Sequence, residues 1–315
     1  MEIYRSIEEF PTLDGSVITI GSYDGLHRGH FHIINRMKSI AHTMKVSSVV
    51  LTFDPHPRHI LNNNVLGLSL IMSIDRKIEI FEKLNIDKLI ILEFNESLMK
   101  INAQAFMDDI LVKYFKPNYI VAGSNHHFGH KRSGNKKFLK DYCKNNKIGL
   151  EIVRPLSDGK NIISSTSIRN LIANGFIRRA NYELGSIFGF NTKVVHGAGR
   201  GKYIEFPTAN LEPIEENQIL PKKGVYLTRC IIDGLSHYGM CNFGIRPTFR
   251  ENDLVLEVHL FDDYSKDLYD YSIWIEFLER IRSEKKFSSV SELKKQLYID
   301  KRKCLELKDK YELGG

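Results

Sequence analysis

Short apolar runs and amphipathic stretches alternate along the first half of the chain. Apolar, β-branched runs predict buried strands at 16–20, 48–53, 88–93, 118–122 and 149–153. Between these runs apolar residues recur every three or four positions, and this period predicts helices at 31–45, 75–84, 98–115 and 136–146. Strands that alternate with helices indicate an α/β domain whose Rossmann-like parallel sheet is covered on both faces. Ligands of such sheets bind at the carboxyl ends of the strands.

The pattern changes near residue 184, where the helical period fades and short β runs follow one another between turn residues. These runs predict strands at 192–195, 224–228, 254–259 and 271–277. Closely spaced strands without intervening helices indicate an antiparallel barrel or sandwich. An amphipathic stretch at 289–312 predicts a helix that closes it. We therefore predict two domains, 1–183 and 184–315, with the boundary between Tyr182 and Ser186.

Composition is that of an ordinary globular protein, with 42% hydrophobic and 26% charged residues among 315. No apolar run reaches the roughly 18–20 residues that a membrane-spanning helix needs, and the N-terminus lacks the basic-then-apolar order of a signal peptide. The four cysteines are scattered and form no Cys-x-x-Cys pair, which favours reduced structural thiols. We therefore expect a cytoplasmic protein without a membrane partner. A monomer is compatible with the sequence, which leaves the oligomeric state open.

A net charge of +7 is compatible with two classes of protein, one that binds nucleic acid and an enzyme whose substrates are polyanions such as ATP. The basic residues are dispersed in short pairs, such as Lys131-Arg132 and Lys222-Lys223. Dispersed charge favours small anionic ligands over a long nucleic-acid groove. We therefore expect small-molecule partners and no nucleic acid.

The segment Gly21–His30 follows the first predicted strand and precedes a helix. Glycines allow the backbone to approach a ligand closely, and a helix N-terminus offers unpaired N–H groups to an anion. His27-x-Gly-His30 adds side-chain donors and at this position resembles the signature of the nucleotidyltransferase superfamily. A glycine-rich βα turn with solvated histidines is the alternative. The candidate catalytic residues are His27 and His30, and the candidate phosphate ligands are Gly21, Tyr23, Asp24, Gly25 and Gly29.

Two other loops follow predicted strands of the same sheet. Prolines hold the first loop extended, and its candidate ligand contacts are Asp54, Pro55 and His56; a rigid turn is the alternative. The loop 123–134 carries three histidines that admit zinc, but no cysteine lies nearby. A ligand-contacting loop is favoured there, with Asn125 and Phe128 facing the pocket.

A third candidate segment combines helix-capping residues with an arginine. Ser164, Ser165 and Thr166 are good N-cap residues for a helix that carries Arg169 in its first turn. A cation is unfavourable at that end of a helix, so an arginine there makes sense if it and the helix N-terminus hold a phosphate together. An exposed surface arginine is the alternative.

The second half contains another glycine-rich segment, with Gly197, Gly199 and Gly201, ahead of Pro-Thr-Ala-Asn. The Thr208 hydroxyl and the Asn210 amide oxygen lie on one side of an extended chain. They suit Mg²⁺ carried by ATP, because Mg²⁺ takes oxygen ligands. A glycine/proline turn with capping polar residues is the alternative.

Glu257 lies in the otherwise apolar strand 254–261. A carboxylate at that position suits a general base for a hydroxyl nucleophile, and a solvated strand face is the alternative. The segment 280–287 follows a strand and is placed to close over a ligand.

Taken in order, these motifs resemble the prokaryotic bifunctional riboflavin kinase/FMN adenylyltransferase (FAD synthetase) family over nearly the whole chain. The resemblance implies a C-terminal six-stranded kinase barrel that moves the ATP γ-phosphate onto the riboflavin 5′-hydroxyl and yields FMN. It implies that Thr208 and Asn210 hold Mg²⁺ and phosphate, that Glu257 deprotonates the hydroxyl, and that Gly197–Gly201 wraps the nucleotide. It places Arg282 and Glu284 against the flavin.

The same resemblance implies an N-terminal nucleotidyltransferase domain that transfers AMP from a second ATP to FMN and releases pyrophosphate. His27, His30, Ser165 and Arg169 would then steady the triphosphate, and Asn125 and Phe128 would face FMN. The implied small molecules are ATP with Mg²⁺ and the flavins riboflavin, FMN and FAD. Both steps would rest on positioning and charge neutralisation without a covalent intermediate.

The chain departs from the family pattern at four positions. Tyr23 replaces a usual Phe, His126 replaces an aromatic residue in the flavin loop, and Glu205 and Asp270 each replace a usual Gly. A chain with one inactive half, a flavin-binding sensor without turnover and an unrelated nucleotidyltransferase are the alternatives. The intact Glu257 and histidine motif argue against a sensor, because binding alone needs neither. The Pro-Thr-Ala-Asn half has no role in an unrelated nucleotidyltransferase.

Overall fold

A computed structural model describes residues 1–61, 68–159, 161–197, 204–247, 252–262 and 268–312. The chain divides into two compact units, Met1–Ser165 and Thr166–Gly315. Each unit is described separately.

The first unit is built on a parallel sheet, as predicted. In the described residues its strands are β1 (Glu2–Tyr4), β2 (Ser16–Ile20), β3 (Ser47–Asp54), β4 (Lys88–Glu93), β5 (Pro117–Gly123) and β6 (Gly149–Val153). Their order is β1-β4-β3-β2-β5-β6, and every neighbouring pair is parallel. The five predicted strands are confirmed. Strand β1 was not predicted, because three residues are too few to show an alternation of apolar and polar positions. The order puts the carboxyl ends of β3, β2 and β5 side by side.

Helices cover both faces of this sheet and bury a separate apolar cluster on each. They are α1 (Arg28–Met44), α2 (Pro57–Leu61), α3 (Ile74–Lys83), α4 (Glu96–Lys100), α5 (Ala103–Ala105), a π-helical segment (Phe106–Phe115) and α6 (Lys136–Asn145). The prediction of one helix over 98–115 is wrong. Ile101 is extended, and the Asn102 side chain accepts a hydrogen bond from the Ala105 N–H and starts a new helix. A short hairpin of β7 (Ser157–Asp158) and β8 (Asn161–Ile162) ends the unit.

The second unit is a closed antiparallel barrel, which confirms the predicted barrel and closing helix. Its first elements are α7 (Ser165–Ala173), whose first residue still belongs to the first unit, and α8 (Ile177–Leu184). In the described residues the barrel strands are β9 (Gly189–Val195), β10 (Ala209–Pro213), β11 (Gly224–Ile232), β12 (Leu235–Pro247), β13 (Asn252–Leu260) and β14 (Ser272–Arg282). They close in the order β10-β13-β12-β11-β14-β9. The last helix is α9 (Val290–Glu312).

The compact units divide earlier than the predicted domain boundary at 183/184. Helix α8 packs on the barrel through the buried side chain of Asn181, which donates to the Phe277 carbonyl at 2.9 Å and accepts from the Phe188 N–H at 2.8 Å. These two bonds fix α8 to β14 and to the residue just before β9. The domain limits 1–183 and 184–315 stay a prediction.

Helix α9 is fastened to the barrel by an ion pair whose carboxylate is buried. The Arg282 guanidinium at the end of β14 lies 2.7 Å from the carboxylate of Asp300, which is 2% exposed. Cys304 is fully buried one turn further along the helix, and burial raises the pKa of its thiol to about 12. Among the described helices, none has the length and apolar character needed to cross a membrane.

Candidate active sites

The turn between β2 and α1 holds an unusual backbone conformation. Tyr23, Gly25 and Leu26 have φ angles of 47°, 81° and 35°. This is the left-handed region that glycine enters without steric cost. The Gly21 N–H donates to the Leu51 carbonyl of β3 at 3.1 Å, which joins the turn to the neighbouring strand. The predicted phosphate-binding segment is therefore a compact turn at the carboxyl edge of the sheet.

Asp24 holds this turn in place. Its carboxylate, in a residue 1% exposed, accepts the backbone N–H groups of Ile71 and Met72 at 3.0 and 3.2 Å. Its backbone carbonyl accepts the hydroxyl of Ser165 at 2.8 Å. Asp24 thus anchors the segment ahead of α3 and also bonds to Ser165, whose predicted contact with phosphate stays a prediction.

His27 caps the N-terminus of α1. Its Nδ1 atom accepts the His30 N–H at 3.3 Å, and burial lowers the pKa of the imidazole to about 4. The ring is therefore neutral near pH 7 and carries its proton on Nε2. Gly29 permits this arrangement, because a Cβ atom there would lie 3.1 Å from the His27 ring.

His30 stacks on His27 with ring centroids 3.7 Å apart. Burial, the His27 ring and the charge of Lys77 lower the pKa of His30 well below its usual range. The Tyr23 ring meets His30 edge-on at 5.2 Å, and its hydroxyl is bonded to the Thr19 hydroxyl at 2.7 Å. The buried Tyr23 side chain therefore supports the His30 ring, and the predicted contact of Tyr23 with phosphate stays a prediction.

Lys77 of α3 is a charged residue of this site that the sequence interpretation missed. It is 3% exposed, and its Nζ atom donates to the Ser22 carbonyl at 3.1 Å. Burial lowers the pKa of Lys77, and the charges of Asp24 and Asp54 oppose that shift. A lysine in an amphipathic helix is expected at the surface. Its spacing from Ile74 and Phe81 on the apolar face of α3 is the signal that would have found it.

The loop after β3 lies at the same edge of the sheet. His56 is buried, and its Nδ1 atom accepts the Arg58 N–H at 3.2 Å, which caps α2. Asp54, which precedes a cis peptide bond to Pro55, contributes the negative charge that acts on Lys77. The structure therefore brings Asp54 to the same buried lysine as Asp24.

The predicted flavin loop follows β5. Phe128, 9% exposed, packs in the apolar cluster beneath the loop, and a bridge to Gly134 closes the loop. The His126 ring stacks on Phe128 at 5.5 Å, and burial lowers its pKa to about 4. A neutral, stacked imidazole thus takes the place of the usual aromatic residue. Asn125 is exposed beside it, and Phe128 supports the loop from below. The described residues contain no group of three or more His, Cys, Asp or Glu side chains that could hold a metal ion.

Helix α7 begins at Ser165, so Arg169 is its fifth residue and lies in the second turn. The prediction that Arg169 lies in the first turn is wrong by one residue, because the first turn of a helix that begins at Ser165 ends before Arg169. Ser164 precedes the helix within the first unit, whereas Thr166 and Arg169 belong to the second unit. Their contact with phosphate stays a prediction.

In the barrel, strand register gathers three polar side chains in one row. Glu257 of β13 pairs directly with Asn210 of β10 on one side and with Asn242 of β12 on the other. Directly opposed residues share a face of the sheet, so two amides flank the Glu257 carboxylate. Thr208 lies two residues ahead of Asn210, just before β10. The sequence interpretation missed Asn242 as a site residue, because strand register is needed to find it.

Gly197 lies against the Asn210 amide. A Cβ atom at this position would be 1.9 Å from Asn210 Nδ2, so any side chain would displace the amide. The other two predicted glycines, Gly199 and Gly201, lie outside the described residues.

Glu284 and Arg282, the two predicted flavin contacts, differ in their surroundings. A Cβ atom on Gly244 would lie 2.4 Å from Glu284 Oε1 and 3.7 Å from Asn242 Nδ2, which puts Glu284 at the Asn242 end of the row. The guanidinium of Arg282 is instead bonded to Asp300 and to the Ser283 carbonyl. Arg282 therefore fastens α9, and its contact with flavin stays a prediction.

The two acidic residues that replace glycine have left-handed backbones. Glu205 and Asp270 have φ angles of 63° and 65°. Each carboxylate forms an ion pair at 2.8 Å, Glu205 with Lys294 of α9 and Asp270 with Lys193 of β9. Both departures therefore keep the backbone of a glycine and add a tether to a neighbouring element.

We expect His27 to make the stability of the first unit depend on pH. Its folded pKa of about 4 lies below the usual value of 6.5. As the pH falls from 6.5 towards 4, His27 therefore binds a proton in the unfolded chain before it does so in the folded chain. The free energy of unfolding should decrease by about 2 kcal/mol by about pH 5. His27→Asn keeps a capping acceptor without a titrating group. Thermal unfolding followed against pH should show a shallower acid decline for His27→Asn, and equal slopes would contradict this assignment.

Comparison with known proteins gives one consistent result. Residues 10–167 match the FAD synthetase family model, and residues 184–308 match the riboflavin kinase model. The bifunctional riboflavin kinase/FMN adenylyltransferase of Bacillus subtilis (strain 168) is 34% identical over 293 residues, 92% of each chain. That of Escherichia coli (strain K12) is 31% identical over 305 residues, 95% of this chain and 96% of its own.

A solved structure described as a macrolide-efflux protein from Streptococcus pneumoniae has the same fold. It matches with a TM-score of 0.84 and 30% identity, over 95% of this chain and 97% of that one. The two family models match the two halves of the chain in the order in which the sequence relatives name the two activities. The chain belongs to the bifunctional riboflavin kinase/FMN adenylyltransferase family.

Proposed function

We propose that this chain makes FAD from riboflavin in two steps. The barrel transfers the γ-phosphate of ATP to riboflavin and gives FMN, and the α/β unit transfers AMP from a second ATP to FMN and releases pyrophosphate. The observation that carries the proposal is the row in which Glu257 lies between Asn210 and Asn242, beside Thr208. A flavin-binding sensor would need no carboxylate in that row.

In the kinase step, Thr208 and Asn210 supply oxygen ligands for the Mg²⁺ that enters with ATP. Glu257 accepts the proton of the riboflavin 5′-hydroxyl as its oxygen attacks the γ-phosphorus. The bond between that phosphorus and the bridging oxygen breaks, and ADP leaves with the electron pair. Gly197 leaves space for the Asn210 amide. Such positioning matters because correct placement of the reacting groups supplies much of the rate acceleration in phosphoryl transfer.

In the adenylyl transfer, an FMN phosphate oxygen attacks the α-phosphorus of ATP and pyrophosphate departs. The neutral His27 ring offers its Nε2 proton to the phosphates, with His30 stacked beside it. The N-terminus of α1 adds partial positive charge where negative charge develops. Ser165 and Arg169 are the remaining proposed phosphate contacts.

The flavin of this step would lie at the carboxyl ends of β3 and β5. Asp54, Pro55 and His56 line one side, and Asn125 with the His126 ring lines the other. The neutral His126 ring provides an apolar face for an aromatic ligand. We propose domain limits of 1–183 and 184–315 for the two activities and a cytoplasmic location, where ATP and flavins are available.

The direct test is incubation of the chain with riboflavin, ATP and Mg²⁺, with the flavins separated by chromatography over time. FMN should appear first and FAD second. Glu257→Gln should lower FMN formation by about 10²-fold or more, because the general base is lost, and should leave conversion of added FMN to FAD unchanged. Wild-type chain that forms neither product would refute the enzyme proposal and favour the sensor.

Gly197→Ala should weaken the kinase step selectively. The added methyl group overlaps the Asn210 amide, so we expect a higher KM for MgATP and at least a roughly tenfold lower kcat/KM for riboflavin phosphorylation. Conversion of FMN to FAD in the same preparation is the internal control. An unchanged KM for MgATP would show that Asn210 does not bind the nucleotide.

Lys77→Met should weaken the adenylyl transfer instead. The methionine fills the space but leaves Asp24 and Asp54 without the buried ammonium, and losing one partner of a buried charge cluster costs roughly 3 kcal/mol or more. FAD formation from FMN should fall while FMN formation from riboflavin persists. Lys83→Met, at an exposed position of the same helix, is the matched control and should retain both activities. Equal FAD formation by the two variants would exclude Lys77 from the site.

A further inference from the structure

His259 is a buried residue of the barrel with no role in the reaction described so far. It lies on β13, two residues after Glu257 and therefore on the same side of the strand. It is 6% exposed. A buried imidazole needs partners for both ring nitrogens, and those partners indicate what the residue does.

Both partners of the ring are defined. Its Nδ1 atom lies 2.9 Å from the Pro207 carbonyl oxygen, and its Nε2 atom lies 3.3 Å from Nζ of Lys301 on α9. A carbonyl oxygen only accepts and an ammonium only donates. The ring therefore carries its proton on Nδ1 and is neutral when both bonds are made. Burial is the main cause that lowers the pKa of His259, and the Lys301 charge adds to it.

The segment that His259 holds leads directly into the metal-binding residues. Pro207 precedes Thr208, and Asn210 follows two residues later. The neighbouring Phe206 is buried, with its ring centroid 5.0 Å from that of His259 and 5.1 Å from that of Tyr298 on α9. The Lys301 ammonium lies 5.9 Å from the Phe206 centroid. Helix α9 thus packs against residues 205–207 from one side, and His259 donates a hydrogen bond to the Pro207 carbonyl oxygen.

We propose that His259 is a positioning residue for riboflavin phosphorylation: it fixes the Pro207 carbonyl, and through it Thr208 and Asn210, while Lys301 selects the tautomer that can donate. The inference rests on the proposed kinase function of the barrel. His259 itself touches neither substrate, because both ring nitrogens are occupied by protein atoms. Its effect should therefore fall on MgATP and spare riboflavin binding.

Two substitutions separate positioning from simple packing. His259→Leu keeps apolar volume but cannot donate to Pro207, and His259→Asn places an amide N–H near the position of Nδ1–H. We expect the leucine variant to raise the KM for MgATP about tenfold or more, in the range typical of residues that orient metal ligands. The KM for riboflavin should stay near the wild-type value. The asparagine variant should recover most of the loss.

Lys301→Met provides a second, independent test of the positioning role. It should raise the KM for MgATP in the wild-type background and add nothing in the His259→Asn background, because the asparagine has no tautomer to select. That non-additivity is measured by a double-mutant cycle. Lys295→Met, at an exposed position of α9, is the matched control and should match the wild type.

Conversion of added FMN to FAD checks the quality of each preparation, an unchanged KM for riboflavin checks that the barrel is folded, and calorimetric binding of MgADP reports the nucleotide site without turnover. Equal loss in the leucine and asparagine variants, or equal increases in both KM values, would overturn the positioning role. Wild-type chain that binds MgADP but forms no FMN would overturn the proposed kinase function. In that case weaker MgADP binding by the leucine variant alone would still support His259.

Discussion

Backbone register between strands is the constraint on which both sites depend. In the barrel, the pairing of β13 with β10 and β12 puts Glu257 opposite Asn210 and Asn242. A slip of one residue would turn Glu257 to the other face of the sheet. In the α/β unit, the order β3-β2-β5 sets three loops at one edge. Residues far apart in sequence meet there because the backbone hydrogen bonds of the strands permit few other arrangements.

Burial then sets the charge state of the side chains that register has gathered. His27, His126 and His259 are all shifted towards the neutral imidazole by removal from water. The lowered pKa has a different consequence at each position. His27 caps α1 through Nδ1 and keeps a proton on Nε2 for donation, His126 provides a neutral stacking ring, and His259 keeps one tautomer. Lys77 is the counterpart with positive charge, favoured by two carboxylates in the same buried region. In the proposed adenylyl transfer, a neutral donor and a fixed cation would meet the anionic triphosphate without first exchanging protons with solvent.

Sequence periodicity identified five of the six sheet strands, four of the six barrel strands and the longer helices, because those elements bury one regular face. It failed where a single side chain decides the backbone, as at Asn102, which starts a new helix inside a continuous apolar pattern. Loop motifs with glycines and histidines were predictable because their chemistry is local. Predicting Asn242 as a site residue requires the strand register. Predicting Lys77 requires a charged residue to be accepted on the apolar face of a helix. Arg282 appeared ready to contact a ligand, but its guanidinium binds Asp300, a partner 18 residues away.

Glu205 and Asp270 show how the fold accommodates change at positions that favour glycine. A left-handed backbone disfavours side chains, yet each acid keeps that conformation and binds a lysine on a neighbouring element. For Glu205 the neighbour is α9, which also supplies Tyr298 to Phe206 and Lys301 to His259. The segment before Thr208 is therefore held by charge, aromatic and hydrogen-bond contacts from one helix. Since Arg282 fastens that helix to β14, the ordering of Thr208 and Asn210 depends on a helix that contains neither of them.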